Sequence, residues 1–122
     1  MPETPATECV FCRIADGRAP ATIVRDLPEA LAIVPLNPVV DGHLLVLPRV
    51  HAVDFTDSPL VTARTMRAAA QIAADIGGPM NLITSKGREA TQSVFHLHVH
   101  LVPRAKDDGL ALPWYSGKGG HR

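Results

Sequence analysis

Apolar and polar positions come in short bursts along the chain, and proline or glycine separates nearly every burst from the next. Thr22–Arg25 and Ala30–Val34 are β-branched or aliphatic runs divided by Asp26-Leu27-Pro28-Glu29, a pattern that predicts a hairpin. Pro35 and Pro38 end the second run and make 36–41 a loop. Gly42-His43 then opens a third strand, Leu44–Leu47, closed by Pro48. Asn81–Thr84 predicts a fourth strand, and Val94–Val102, stopped by Pro103, a fifth. Between them the period changes. Ser58–Gly77 reads as a helix, with Ser58 as N-cap, Pro59 in the first position and Gly77-Gly78 at the end. Its apolar positions Leu60, Ala63, Met66, Ala70, Ala73 and Ile76 recur every three or four residues, which predicts the core-facing side. A shorter run from Cys9 to Ala15 predicts a brief helix ending by Gly17. The order predicts an α+β domain: a mostly antiparallel five-stranded sheet, one long helix packed on it and a short N-terminal helix.

Composition narrows this picture. The chain has 122 residues, enough for one core, and 46% of them are apolar and 20% charged, which argues against wholesale disorder. Twelve basic residues balance twelve acidic ones, so no electrostatic grip on nucleic acid or anionic membrane is expected. No run approaches the roughly 20 apolar residues of a membrane span. The opening Met-Pro-Glu-Thr-Pro-Ala-Thr-Glu does not resemble a secretory signal, so the expected location is cytoplasmic. Residues 1–8 are expected to be mobile, residues 9–104 to form the domain, and residues 105–122 to be a tail with a frayed end. The two cysteines, Cys9 and Cys12, are spaced C-x-x-C; in a reducing compartment such a pair reads as metal-binding or redox before structural disulfide.

The chemistry concentrates in Gln92-Ser93-Val94-Phe95-His96-Leu97-His98-Val99-His100. In a strand, side chains alternate faces, so His96, His98 and His100 are expected on one face at about 6.6 Å intervals, with Leu97, Val99 and Leu101 on the other. Three readings compete: a metal held by imidazoles, a neutral imidazole acting as nucleophile, or an anion-binding face without turnover. Spacing alone does not rank the first two. The preceding loop, Ser85 to Ser93, offers backbone N–H groups, the Gln92 amide, the Ser93 hydroxyl and the charges of Lys86 and Arg88, a composition suited to phosphate.

His96-Leu97-His98-Val99-His100-Leu101-Val102, with its Gln-Ser-Val-Phe lead-in, resembles the signature of the histidine triad (HIT) family, Hint-like branch. Cys9-Val-Phe-Cys12-Arg-Ile, Leu36-Asn37-Pro38 and the run from Gly42 to His51 extend the resemblance over roughly residues 9–104. The resemblance implies hydrolysis or transfer of nucleoside monophosphates at the α-phosphate, without a catalytic metal. His98 would be the nucleophile, forming a nucleotidyl-imidazole intermediate, with the His96 carbonyl accepting its Nδ1 proton. His100 and Gln92 would bind phosphate oxygens, and Ser93 would bind phosphate or relay a proton. Asn37 would bind ribose, Phe11, Ile14 and Leu36 would flank the base, Ser85 would contact ribose or phosphate, and His43 would be a supporting histidine. The resemblance also implies a structural zinc on Cys9, Cys12, His51 and His96, and a homodimer. The substrate class it implies is purine nucleoside phosphoramidates or adenylyl conjugates. Dinucleoside polyphosphates, as in the Fhit-like branch, a hydrolase using the three histidines as metal ligands, and a non-enzymatic nucleotide-binding adaptor are the alternatives. Two positions depart from the pattern: Ser85 where relatives often carry asparagine, and β-branched Thr91 where they carry a small residue.

Overall fold

The computed structural model describes residues 9–118. Helix α1 (Val10–Ala15) starts at Cys9, whose Sγ accepts the Cys12 amide at 3.3 Å and so caps the helix. Strands β1 (Ile23–Asp26) and β2 (Ala30–Ile33) form the expected hairpin, with the Leu27 amide donating to the Ala30 carbonyl across the turn. Strand β3 (Leu44–Pro48), helix α2 (Pro59–Ile76), strand β4 (Met80–Ile83) and strand β5 (Val99–Pro103) follow. The sheet order is β1-β2-β3-β5-β4, antiparallel throughout, so β5 lies inside the sheet and β4 at its edge.

Two cores hold the sheet from opposite sides. Ala30, Ala32, Leu44, Val46, Val99 and Leu101 meet Ala68, Ala69 and Ile72 of α2. Leu31, Ile33, Leu45 and Leu47 meet Cys9, Phe11 and Ile14 of the N-terminal segment. Residues 9–15 therefore roof the face opposite the long helix.

Helix α2 has the predicted caps but a different buried face. The Ser58 hydroxyl accepts the Val61 amide at 3.3 Å and Pro59 occupies the first turn. The buried stripe is Thr65, Ala68, Ala69 and Ile72, while Leu60 and Ile76 of the expected stripe are 59% and 48% exposed. Met66 and Ala73 are partly buried beside it. An alanine-rich helix carries two apolar stripes, and the sheet selects the one whose small residues permit close approach. Thr65 can enter because its hydroxyl donates to the Val61 carbonyl at 2.8 Å and leaves only its methyl group to pack.

The fifth strand is also shorter than expected, beginning at Val99 rather than Val94. Its ladder to β3 covers Leu44–Val46 only. Beyond that point the Leu97 amide donates to the Ala52 carbonyl in the β3–α2 loop, at 2.6 Å, and the chain leaves the sheet. His96 and His98 therefore precede the regular strand, and only His100 lies in it. After Pro103, Arg104 donates twice to Asp108, once to Asn81 and once to the Leu110 carbonyl, and Leu112 bridges to Tyr115. These bonds fold residues 105–115 back beside β4 and β5 where a frayed tail is expected. The expected mobility of residues 1–8 concerns positions outside the described residues.

Candidate active site and metal centre

The three histidines differ in what their ring nitrogens touch. His96 is fully buried, and its Nε2 donates to the Pro48 carbonyl at 2.8 Å. Its Nδ1 is therefore a bare lone pair, and it faces Cys9 Sγ and Cys12 Sγ, both at 3.4 Å. His51 Nδ1 stands 3.2 Å from Cys12 Sγ. All four donor atoms lie within 4.8 Å of one another, so Cys9, Cys12, His51 and His96 could together hold a metal ion. Zinc–ligand bonds of about 2.0–2.3 Å place tetrahedral ligands about 3.3–3.8 Å apart, and the observed sulfur–nitrogen separations fall close to that range. Without a cation, burial and the neighbouring Cys9 push the Cys12 thiol up to about 11; a bound dication would reverse that preference and favour thiolate. One ion cannot collect all three triad imidazoles, because both nitrogens of His96 are directed elsewhere.

His98 is half-buried, and its Nδ1 donates to the His96 carbonyl at 2.8 Å. A proton fixed on Nδ1 leaves Nε2 as a lone pair. Desolvation lowers the His98 pKa below its ordinary value, only partly offset by that bond, so the ring is neutral near pH 7. Thr84, the residue after β4, donates its hydroxyl to the His98 carbonyl at 2.7 Å and fixes the backbone on the other side.

His100 takes its tautomer from His43. The Val39 amide can only donate, and it donates to His43 Nδ1 at 3.1 Å. His43 Nε2 must then carry the proton, and it donates to His100 Nδ1 at 3.0 Å. His100 is left with an Nε2–H, a donor. Burial lowers both pKa values, and that of His100, with the adjacent His98 and His43 rings adding to the effect, falls to about 4. The Phe11, His98, His100 and His43 rings form a row with centroids 5.2, 5.3 and 5.2 Å apart. One row thus presents a bare lone pair beside a hydrogen-bond donor.

The remaining expected residues are distributed as follows. Phe11 and Ile14 are buried members of the N-terminal core, and Phe11 also meets His96 and His98 edge-on. Ser93 and Asn37 are exposed, Ser85 is half-buried, and Leu36 is 99% exposed in the 36–41 loop. Gln92 is buried and its amide is engaged internally: Nε2 donates to the Val53 and Val94 carbonyls and Oε1 accepts the Gly87 amide. It shapes the loop from within. Lys86 donates to the Thr56 hydroxyl, and Arg88 lies over the Phe95 ring. Thr91 has a left-handed backbone, φ 75°, an uncommon conformation for a β-branched residue. Sequence reasoning misses Thr84 and the Val39 amide altogether: one is a lone threonine past a strand end, and the other is backbone.

The sequence matches the HIT domain over residues 16–107. The chain belongs to the HIT family. It is 37% identical over 110 residues to an uncharacterized HIT-like protein of Mycobacterium tuberculosis, covering 85% of this chain and 76% of that protein. It is 31% identical over 109 residues to the adenylylsulfatase HINT3 of Arabidopsis thaliana, covering 84% of this chain but only 55% of that one. Among solved structures, a Zn-bound histidine triad family protein from Mycobacterium smegmatis superposes with a TM-score of 0.74 at 36% identity, over 88% of this chain and 82% of that one. The HIT fold and a kinship with HIT family hydrolases are thereby established for this chain.

Proposed function

We propose that this HIT protein is a nucleotidyl hydrolase or transferase that acts at the α-phosphate of purine nucleoside phosphoramidates or adenylyl conjugates through a covalent intermediate on His98. The observation that carries the reading is the hydrogen bond from His98 Nδ1 to the His96 carbonyl, which leaves Nε2 as a neutral lone pair. In the reaction, a bond forms between Nε2 and phosphorus as the bond from phosphorus to the leaving group breaks. The leaving amine takes a proton, for which exposed Ser93 is the relay. Water then attacks phosphorus and releases the nucleoside monophosphate and His98. The Nε2–H of His100 and the backbone of the loop shaped by Gln92 stabilise charge on the phosphate oxygens, the positioning and electrostatic work that phosphoryl transfer chiefly requires. Asn37 serves the ribose, Phe11, Ile14 and Leu36 the base side, and Ser85 the ribose or phosphate.

Zinc at Cys9, Cys12, His51 and His96 would be structural, since four protein ligands close its coordination shell. By binding His96 it would stiffen the peptide whose carbonyl orients His98. The open edge of β4, with Leu82 and Ile83 exposed, supports a homodimer, and the cytoplasm is the proposed site of action. Quenching the protein in base during turnover of adenylyl-labelled phosphoramidate should trap label on wild type and none on His98→Ala. Label-free wild type during rapid turnover would refute the covalent route.

A further inference from the structure

The chain parts from the sheet at His98, and two peptide groups hold that residue from either side. The peptide joining His96 to Leu97 is fixed at both ends: its carbonyl accepts the His98 Nδ1–H at 2.8 Å, and its N–H donates to the Ala52 carbonyl at 2.6 Å. On the other side, the His98 carbonyl accepts the Thr84 hydroxyl at 2.7 Å. The β4–β5 ladder ends just before, at Ile83 opposite His100. A side chain thus supplies the donor where backbone pairing stops. Of the two outside partners, Ala52 offers main chain and Thr84 a hydroxyl.

Thr84 is suited to that task. Branching at Cβ restricts its χ1, so the direction of the hydroxyl is narrowly set, and the residue is half-buried. It also opens the loop from Ser85 to Ser93. That loop is tied down at two further points: Lys86 donates to the Thr56 hydroxyl at 2.9 Å, and Gln92 Nε2 donates to the Val53 carbonyl at 2.7 Å. Thr56 and Val53 belong to the same β3–α2 connection as Ala52. Loop and histidine backbone are therefore braced on one segment, and the Thr84 hydroxyl joins them directly. It sets the distance between the His98 ring and the loop that follows β4.

We propose that Thr84 is a positioning residue for the reaction at the α-phosphate, holding the His98 backbone so that Nε2 meets phosphorus in line with the departing group. The proposal rests on the reading of His98 as nucleophile. Thr84 touches no reacting atom and acts only through the carbonyl of His98. A misplacement of about 1 Å in such a geometry costs on the order of 100-fold in rate. A tie next to the His98 Cα accordingly governs the chemical step and leaves nucleotide binding almost untouched.

The test measures, in a single turnover, how fast adenylyl-labelled adenosine 5′-phosphoramidate transfers label to the protein, together with the Kd of AMP. Thr84→Val keeps the branched shape and removes the donor; the transfer rate should fall about tenfold with Kd within about twofold of wild type. Thr84→Ser restores the donor and should return the rate to within about threefold. Thr84→Ala, which places no methyl group against the carbonyl, should behave as Thr84→Val does and serves if the valine variant folds poorly. The 13C shift of the His98 carbonyl should move in the valine and alanine variants and return in the serine one. Transfer rates for Thr84→Val and Thr84→Ala within about twofold of wild type overturn the proposal while leaving His98 as nucleophile. So does a loss that Thr84→Ser shares, since bulk rather than the hydroxyl would then matter, or an AMP Kd that weakens as much as the rate falls. Wild type that acquires no label overturns the His98 reading and this proposal with it.

Discussion

His43 donates from Nε2 to Nδ1 of His100, 57 residues away in sequence, because the Val39 amide occupies its other nitrogen. A backbone N–H in a loop thus decides, through two rings, that His100 presents a donor to the site. His43→Phe keeps the ring volume but removes the donor, and kcat/KM should fall roughly 10–100-fold, the usual cost of losing an orienting partner. His43→Gln should recover part of the loss. Nitrogen NMR of the His100 ring is the direct check: wild type should show protonated Nε2, and the phenylalanine variant a mixture of tautomers. An unchanged tautomer would refute the relay.

The proposed metal centre and the proposed nucleophile meet at one residue, His96, but should separate by mutation. Cys12→Ser should reduce bound zinc well below one per chain, lower the melting temperature and leave partial activity, because the His96 ring keeps its bond to Pro48. His98→Ala should abolish turnover and leave zinc content intact. Elemental analysis alongside kinetics reads both; zinc loss in His98→Ala would contradict the division.

Burial lowers the pKa values of His43, His98 and His100. In the proposed reaction the attacking form of His98 is neutral, so activity should be present at neutral pH and be lost as pH falls through a value below 6.5, the ordinary histidine value. The acid limb of kcat/KM should be centred below 6.5. Stability follows the same sign: unfolded rings take up protons below 6.5 while folded ones resist, so stability is complete above that pH and declines below it. Melting temperatures between pH 7 and 5 should fall accordingly. A rise on acidification would contradict the neutral assignments.

Thr91 holds a left-handed backbone, φ 75°, at the end of the 3₁₀ turn Arg88–Ala90, just before Gln92. Thr91→Gly should relieve that strain and raise stability by about 1 kcal/mol, less the added freedom of the unfolded chain. Thermal melts check it. A loss of stability would mean that the threonine side chain contributes more than its backbone costs.

Local pattern was sufficient for much of the architecture. The hairpin, the caps of α2 and the presence of a strand near each apolar run are consequences of residues a few positions apart, where proline, glycine and side-chain period act directly. The buried face of α2 was not readable, because Leu60, Ala70 and Ile76 are as apolar as Ala68, Ala69 and Ile72; only the shape of the sheet chooses between the stripes. Nor could spacing reveal that β5 begins only at Val99, since its start is set by the Leu97 amide bonding to Ala52 rather than by anything in the strand.

By itself the sequence determined which elements form, where three histidines and two cysteines stand, and that the chain carries the histidine triad pattern. Tertiary structure alone decided what each imidazole meets. His96 faces thiols 84 and 87 residues away and a carbonyl 48 away, His100 faces His43, and His98 binds the His96 carbonyl through Nδ1, which leaves its lone pair on Nε2. The physical reason is that a histidine ring has two nitrogens and one proton when neutral; which nitrogen keeps it depends on partners that only folding brings within hydrogen-bond reach.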